Sequence, residues 1–542
     1  MNLQFSGKKY AHAAIYLVAL SIFTAQPISH AADALPQLGD GEEMSVSAEK
    51  KLGIRIAREM YRDPDYIDDP LITAYVQRLW QPLLAAAKRR GDITPEQEQL
   101  AWEIMTGKDR SINAFALPGG YFGLHLGLVG AVATRDELAS VLAHELTHVS
   151  QRHIARQIGR QNQQSPWLMG AMILGAIAAS KNPQAASAVL AGSQAVSAQA
   201  QLNFSRDMER EADRIGFSIV QEAGMDVRGF TGMFDKLQAA NRINDNGSFP
   251  YLRSHPLTTE RFGDMQSRLQ LMPPSIQAAS PIGWQAEHAL IATRARLIAD
   301  SSVDSLRAEL TQAAAALRNP LPANATLAQK IRQLAQLYGG AMASNKQRDA
   351  AAALRYAAAA RELLISMPVE PNNASIAGME YARSAIELIA IDASLTSSLA
   401  LPDVQQAAFS ALALLRQSAS LKNERPTLLA WAQLARINPS LDRSAAIDAL
   451  QTRVATYPND SPAWQALASL HEAQGQQLRS MRASAESRVA LLDYGAALDR
   501  LKAAQEWARA NGANHIDASI LDTRTRAVQA LVREMQSERD KP

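Results

Sequence analysis

The chain has 542 residues, 47% of them hydrophobic and 20% charged. At about 100–200 residues per domain this length calls for two to four domains, and the composition is globular rather than disordered or fibrous. It contains no cysteine, which excludes disulfide scaffolds, thiolate zinc clusters, iron–sulfur sites, cysteine nucleophiles and cysteine-linked lipid anchors, so any metal must be held by His, Asp or Glu.

The 55 basic residues face 53 acidic ones, and the first 31 positions hold Lys8 and Lys9 but no acid. Downstream of them the charges balance, which with no long Lys/Arg run argues against nucleic acid or another polyanion as partner.

In chain order, Lys8 and Lys9, the apolar stretch Ala13 to Ala25 and the small residues Ser29 and Ala31 predict a secretory signal peptide over 1–31, cleaved after Ala31. The stretch is short of the roughly 20 residues that span a bilayer. A cysteine-free exported chain fits the bacterial periplasm.

From about 45 to 90 the pattern is helical, with Leu71, Tyr75, Leu79 and Leu83 four apart on one face. Trp102 to Thr106, Ile112 to Leu117 and Tyr121 to Leu128 read as strands, with Pro118-Gly119-Gly120 as the turn between the last two. Thr134 and Glu137 form a capping box that opens a helix from about 135 to 158. Trp167 to Ala179 is an apolar run too short to cross a membrane; it reads as a buried helix or as part of a lid-like segment over 160–200.

Past about 285 the composition shifts to Ala, Leu, Arg and Gln with helical periodicity punctuated by prolines, as in stacked helical pairs. Trp464, Leu467 and His471 keep the first-helix spacing of a tetratricopeptide repeat, with Ala468 for Gly and His471 for Tyr. Ala497, Leu501 and Ala504 keep that of a second helix. The expected organisation is a signal peptide (1–31), a mixed helix-and-sheet domain (32–285) and a tetratricopeptide-like domain (286–542).

The chemistry is concentrated at His144-Glu145-Leu146-Thr147-His148, an HExxH. Two histidines four apart differ by about 40° around a helix, so both can reach one metal while Glu145 flanks it. A zinc ion with three protein ligands lowers the pKa of a water in its open position, and Glu145 is placed as the general base. A third histidine in the HExxHxxGxxH register would fall at 154, which is Ile154. His153 misses that register and, on a continuous helix, points about 180° from His144, so it reads as a solvated surface residue.

Glu209-Arg210-Glu211-Ala212-Asp213 offers carboxylates on another helix. Glu209 and Asp213 share a face while Glu211 points about 160° from Asp213, which favours Glu209 as the third ligand and Asp213 as the group that holds a ligand imidazole or assists proton transfer.

The HExxH, the ExEAD element at 209–213, the strand Asn113-Ala114-Phe115-Ala116-Leu117-Pro118-Gly119-Gly120 and the later Ser254-His255-Pro256-Leu257 together resemble the gluzincin metallopeptidase family of the CAAX prenyl protease and the heat-shock protease HtpX. The resemblance implies His144, His148 and Glu209 as ligands of one Zn2+ per chain, Glu145 as base and Asp213 as acidic partner. With the segments read above, the expected fold is mainly α with a small β-sheet in the metalloprotease domain (32–285), an α+β zincin-like arrangement, followed by an all-α tetratricopeptide-like repeat domain (286–542). Unlike the prenyl protease, the chain lacks transmembrane helices.

Phe115 to Gly120 is expected to offer an edge to an extended substrate, or else to be an interior hairpin strand. His255, extended before Pro256, is a candidate fourth ligand that keeps the enzyme latent or a stabiliser of the tetrahedral intermediate. Arg261 is a weaker candidate oxyanion-stabilising cation.

The expected function is a periplasmic zinc endopeptidase. The resemblance, taken with the exported N-terminus and the repeat tail, implies that its repeats recruit unfolded or misassembled outer-membrane proteins or the β-barrel assembly machinery, with at most peripheral membrane association. The alternative is a chaperone or assembly scaffold with a mostly latent metal site.

Overall fold

The computed structural model describes residues 44–160, 205–242, 251–272, 280–397, 401–512 and 514–539. The expected signal peptide and nearly all of the lid-like segment lie outside the described residues. Among those described the molecule is mainly helical with a single three-stranded sheet, and no helix is long and apolar enough to cross a membrane.

The helical pattern from 45 to 90 is two helices, α1 (Val46–Arg62) and α2 (Pro70–Arg90). Asp69 caps α2 by accepting from the Ile72 N–H, Pro70 occupies the first turn, and Gly91 closes the helix in the left-handed region. The face read from the sequence is the buried one: Leu71, Tyr75, Leu79 and Leu83 all enter the core beside Trp80.

Strands β1 (Glu103–Gly107), β2 (Ala114–Leu117) and β3 (Tyr121–His125) form a sheet of order β1-β3-β2, with β3 parallel to β1 and antiparallel to β2. The β2–β3 turn uses Gly119 and Gly120 at φ 76° and 80°, a region closed to most side chains. The third strand is shorter than its sequence pattern, because at Leu126 the chain coils into α3 (Leu126–Ala131).

Next comes α4 (Arg135–Ser150), capped as expected by Thr134, whose hydroxyl accepts from the Glu137 N–H at 3.1 Å. The Glu137 carboxylate closes the box one residue upstream, on the Ala133 N–H at 2.6 Å. From Asp136 to Ser150 every residue of α4 is buried, so the helix is wrapped on all sides rather than amphipathic. It ends eight residues earlier than its pattern suggests. Arg152 takes φ 54°, and a second helix, α5 (His153–Arg160), sets off in a new direction.

Four helices then enclose α4 or one another: α6 (Arg206–Glu222), α7 (Arg228–Arg242), the single turn α8 (Tyr251–Ser254) and α9 (Thr259–Gln270). Of these, α6 and α7 pack directly on α4. A Cβ at Gly216 of α6 would sit 3.2 Å from the backbone of Ala143 and His144, so glycine lets α6 approach the HExxH turn.

The remaining helices are α10 (Ile282–Ala299), α11 (Val303–Arg318), α12 (Leu327–Lys346), α13 (Ala350–Ile365), α14 (Asn373–Thr396), α15 (Pro402–Gln417), α16 (Arg425–Ile437), α17 (Arg443–Thr456), α18 (Ser461–Ala473), α19 (Gln477–Ala490), α20 (Tyr494–Asn511) and α21 (His515–Arg539). From α11 onward each packs on the next, as stacked pairs do. Leu467 and His471 of α18 and Ala497, Leu501 and Ala504 of α20, singled out by their spacing, are all buried between helices.

Helix α10 joins the two parts. It packs on α2 and α3 on one side and on α12 and α14 on the other, and one hydrophobic cluster runs from Leu71 through α10 to Ala483.

Candidate metal centre

Helix α4 places His144, Glu145 and His148 side by side, and α6 brings Glu209 and Asp213 opposite them. The turn α8 delivers His255. His144, His148, Glu209 and His255 each offer a ligand atom, and these four atoms lie within 4.8 Å of one another; all four residues are buried.

The imidazole nitrogens His144 Nε2 and His148 Nε2 face each other at 3.0 Å. Glu209 lies 3.5 Å from the first and 3.4 Å from the second. His255 Nδ1 is 3.0 Å from Glu209 Oε1 and 3.3 Å from His144 Nε2. The Tyr251 ring stacks on that of His255 with centroids 4.5 Å apart.

The electrostatics are those of a cation site. Burial alone would lower the pKa of His144, but hydrogen bonds to Asp213 and Glu209 outweigh it and lift it to about 9. For His148 burial wins, and its pKa falls well below the ordinary imidazole value. Burial disfavours ionised Glu209, yet His255, His144 and His148 together hold its carboxyl well below the usual range.

Glu145 is also buried, which raises its pKa despite His255 and His144. Neither of its oxygens completes a well-formed hydrogen bond among the described residues, the Ala116 backbone amide being the donor that approaches it. A buried carboxylate left this open is costly unless another group occupies the space beside it. Two facing ring nitrogens, a third imidazole and an ionised carboxylate are a donor set suited to a divalent transition metal such as zinc.

The surrounding residues orient these groups. Asp213 Oδ1 lies 3.0 Å from His144 Nδ1. Arg261 grips the same carboxylate from Nε at 2.6 Å and Nη2 at 2.9 Å, and its Nη1 reaches Glu209 Oε2 at 2.8 Å and Pro256 O at 2.9 Å. The guanidinium is thus spent on the two acidic groups, which corrects its reading as an oxyanion-stabilising cation.

A second correction concerns His153. It is not a solvated surface residue but fully buried, 2.8 Å from His148 Nδ1 through its Nδ1 and 3.0 Å from Glu211 Oε2 through its Nε2. On a single helix from 135 to 158 the ring would point outward. The left-handed Arg152 ends that helix and swings His153 back under His148. No Gly or Pro marks the break, and the polar run Ser150-Gln151-Arg152 is its only local signal.

Strand β2 lies at the edge of the sheet and packs against α4, so Phe115 to Leu117 borders the cluster.

An HExxH helix faced by a carboxylate-bearing helix is the arrangement of zinc-type metallopeptidases. Consistent with it, the model of Peptidase family M48 matches residues 70–269. Curated relatives include the putative β-barrel assembly-enhancing protease of Vibrio cholerae, 33% identical over 274 residues, which are 50% of this chain and 54% of that protein. The β-barrel assembly-enhancing protease of Escherichia coli is 31% identical over 274 residues, 49% of this chain and 54% of that protein. The mitochondrial metalloendopeptidase OMA1 of Arabidopsis thaliana is 29% identical over 168 residues, 31% of this chain and 32% of that protein. The chain thus spans about half the length of the β-barrel assembly-enhancing proteases it matches.

Proposed function

We propose that the protein is a zinc-dependent endopeptidase with its metal held by His144, His148 and Glu209. The observation that carries this is the convergence of those buried ligand atoms beside a buried carboxylate, Glu145, that lacks a full set of partners. A zinc ion bound there would supply a water of lowered pKa and a Lewis acid for the scissile carbonyl.

The chain's own residues do the rest. Glu145 takes the proton of the attacking water and returns it to the leaving amine, work that an amide in its place cannot do. Asp213 fixes the ring of His144, and Arg261 neutralises Asp213 and Glu209, so that neither carboxylate is a lone buried charge. The edge of β2 gives an extended peptide a strand to pair with beside Glu145. His255, within reach of both Glu145 and Glu209, is read as a fourth ligand that closes the site in the resting state.

In this reading residues 32–285 are the catalytic domain and 286–542 a tetratricopeptide-like array that recruits clients. The stacked pairs from α11 onward support it. The relatives named for enhancing β-barrel assembly support clients that are unfolded or misassembled outer-membrane proteins, or their assembly machinery. The charged-then-apolar N-terminus and the absence of cysteine support a periplasmic location. A scaffold with a silent metal site is the second reading, favoured only by the proximity of His255 to the ligands.

Glu145→Gln separates the two. It is expected to keep its zinc and lose at least 10²-fold in cleavage of an unfolded casein-type substrate. Wild-type turnover by that variant would place the base elsewhere, and a metal-loaded wild type with no peptidase activity would favour the scaffold.

A further inference from the structure

The two histidines of the HExxH are not buttressed alike. His144 leans on the carboxylate of Asp213, which Arg261 neutralises. His148 leans on another imidazole. Its Nε2 faces the cluster of ligand atoms while its Nδ1 lies 2.8 Å from Nδ1 of His153. The far nitrogen of His153, Nε2, lies 3.0 Å from Glu211 Oε2, and the same oxygen accepts from Arg156 Nη2 at 2.9 Å.

Only one arrangement of protons suits a His148 that ligates through Nε2. That nitrogen must present its lone pair, so Nδ1 carries the proton and donates it to Nδ1 of His153. His153 is then protonated on Nε2 and donates to Glu211. Each link has one donor and one acceptor, so the chain fixes both tautomers as well as both ring planes.

We infer that His153 and Glu211 are positioning residues for the metal ligand His148, forming an imidazole–imidazole–carboxylate relay anchored by Arg156. The inference rests on His148 being a metal ligand as proposed above.

The backbone is shaped for this contact. Arg152 is a non-glycine residue at φ 54°, a conformation that is unfavourable for a side chain and persists only where its surroundings impose it. Here its amide bonds Val149 O, and its guanidinium holds Glu49 at 3.2 Å and the carbonyl of Met44. The kink turns His153 from the outward direction of a continuous helix to full burial under His148. Glu211, which points away from Asp213 on α6 and offers nothing to the metal cluster directly, is aimed instead at the end of this relay.

The test is the zinc affinity of the full chain, measured by competition with a chromophoric chelator, together with the melting temperature of the same protein stripped of metal. His153→Ala is expected to weaken zinc binding on the order of 10–100-fold. His153→Gln, whose amide oxygen can accept the same proton, should recover part of that loss. Glu211→Ala acts at a half-exposed position with little packing to lose, and should weaken binding less than His153→Ala. The double variant should bind no more weakly than His153→Ala alone, because both changes break one chain.

Wild-type affinity in both single variants, or losses that simply add in the double variant, would overturn the relay. If His153→Ala does not fold, Glu211→Ala decides by itself, and an unchanged affinity there overturns the relay. A wild-type chain that binds no zinc fails the metal-centre reading itself, and the relay falls with it. Wild type that binds zinc beside unaffected variants fails the relay only.

Discussion

His255 and Glu145 approach to 3.5 Å, and His255 also lies 3.0 Å from Glu209, so one side chain touches both the proposed base and a proposed ligand. Such a residue either fills the open metal position or faces the reacting carbonyl, and the two roles have opposite consequences. Its place among the ligand atoms supports the first. Since hydrolysis needs an open coordination position, His255→Ala should digest an unfolded casein-type substrate faster than wild type at equal zinc occupancy. A rate lower by about 10²–10³ would assign it the stabilising role instead. The HExxH and the acidic element of α6 were legible at this scale because side-chain chemistry and a four-residue spacing survive translation into helices. The relay through His153 was not, because it depends on a left-handed Arg152 that no residue type announces. The task of Arg261 was hidden too, since it depends on two acids 48 and 52 positions away that only folding brings near.

Helix α4 carries the proposed base and two of the proposed ligands, and its start was readable from Thr134 and Glu137. Its end was not, because the break at the left-handed Arg152 carries no Gly or Pro. The cap is where the element can be probed without touching the site. Thr134→Ala leaves the Glu137 N–H without its acceptor and is expected to lower the stability of the protein by about 1 kcal/mol in urea unfolding. No change in the unfolding midpoint would mean that packing alone holds the first turn. The sheet was similarly half legible. All three strands follow from alternating apolar segments and the Pro-Gly-Gly turn, but their order β1-β3-β2 is set by non-local pairing and leaves no local trace.

For the whole molecule, α10, which packs on α12 and α14 of the helical array, is held to α2 by buried polar contacts. Arg294 pairs with both oxygens of Asp69 at 2.8 and 2.7 Å, His288 bonds the Tyr75 hydroxyl at 2.6 Å, and Arg78 pairs with Glu287. The proposed boundary at 285/286 falls inside this helix, since composition changes where the repeat-like pattern begins rather than where contacts thin out. Asp69 also caps α2, and although burial resists its ionisation, Arg294 and backbone amides hold its carboxyl below the ordinary aspartate range. Asp69→Asn leaves Arg294 buried without its partner and should cost roughly 3–5 kcal/mol at pH 7. A depressed folded-state pKa stabilises only above the unfolded value of about 3.9, and that stability is lost as pH falls through the folded pKa. The gap between wild type and variant should therefore narrow in urea unfolding at pH 3; a gap of equal size at both pH values would contradict the ion pair's role. The central claim, a metallopeptidase centre built by α4 and α6, is tested most directly by the zinc content per chain of wild type beside the His144→Ala, His148→Ala double variant. One zinc in the first and none in the second is the predicted result, and an equal zinc content in both would contradict it.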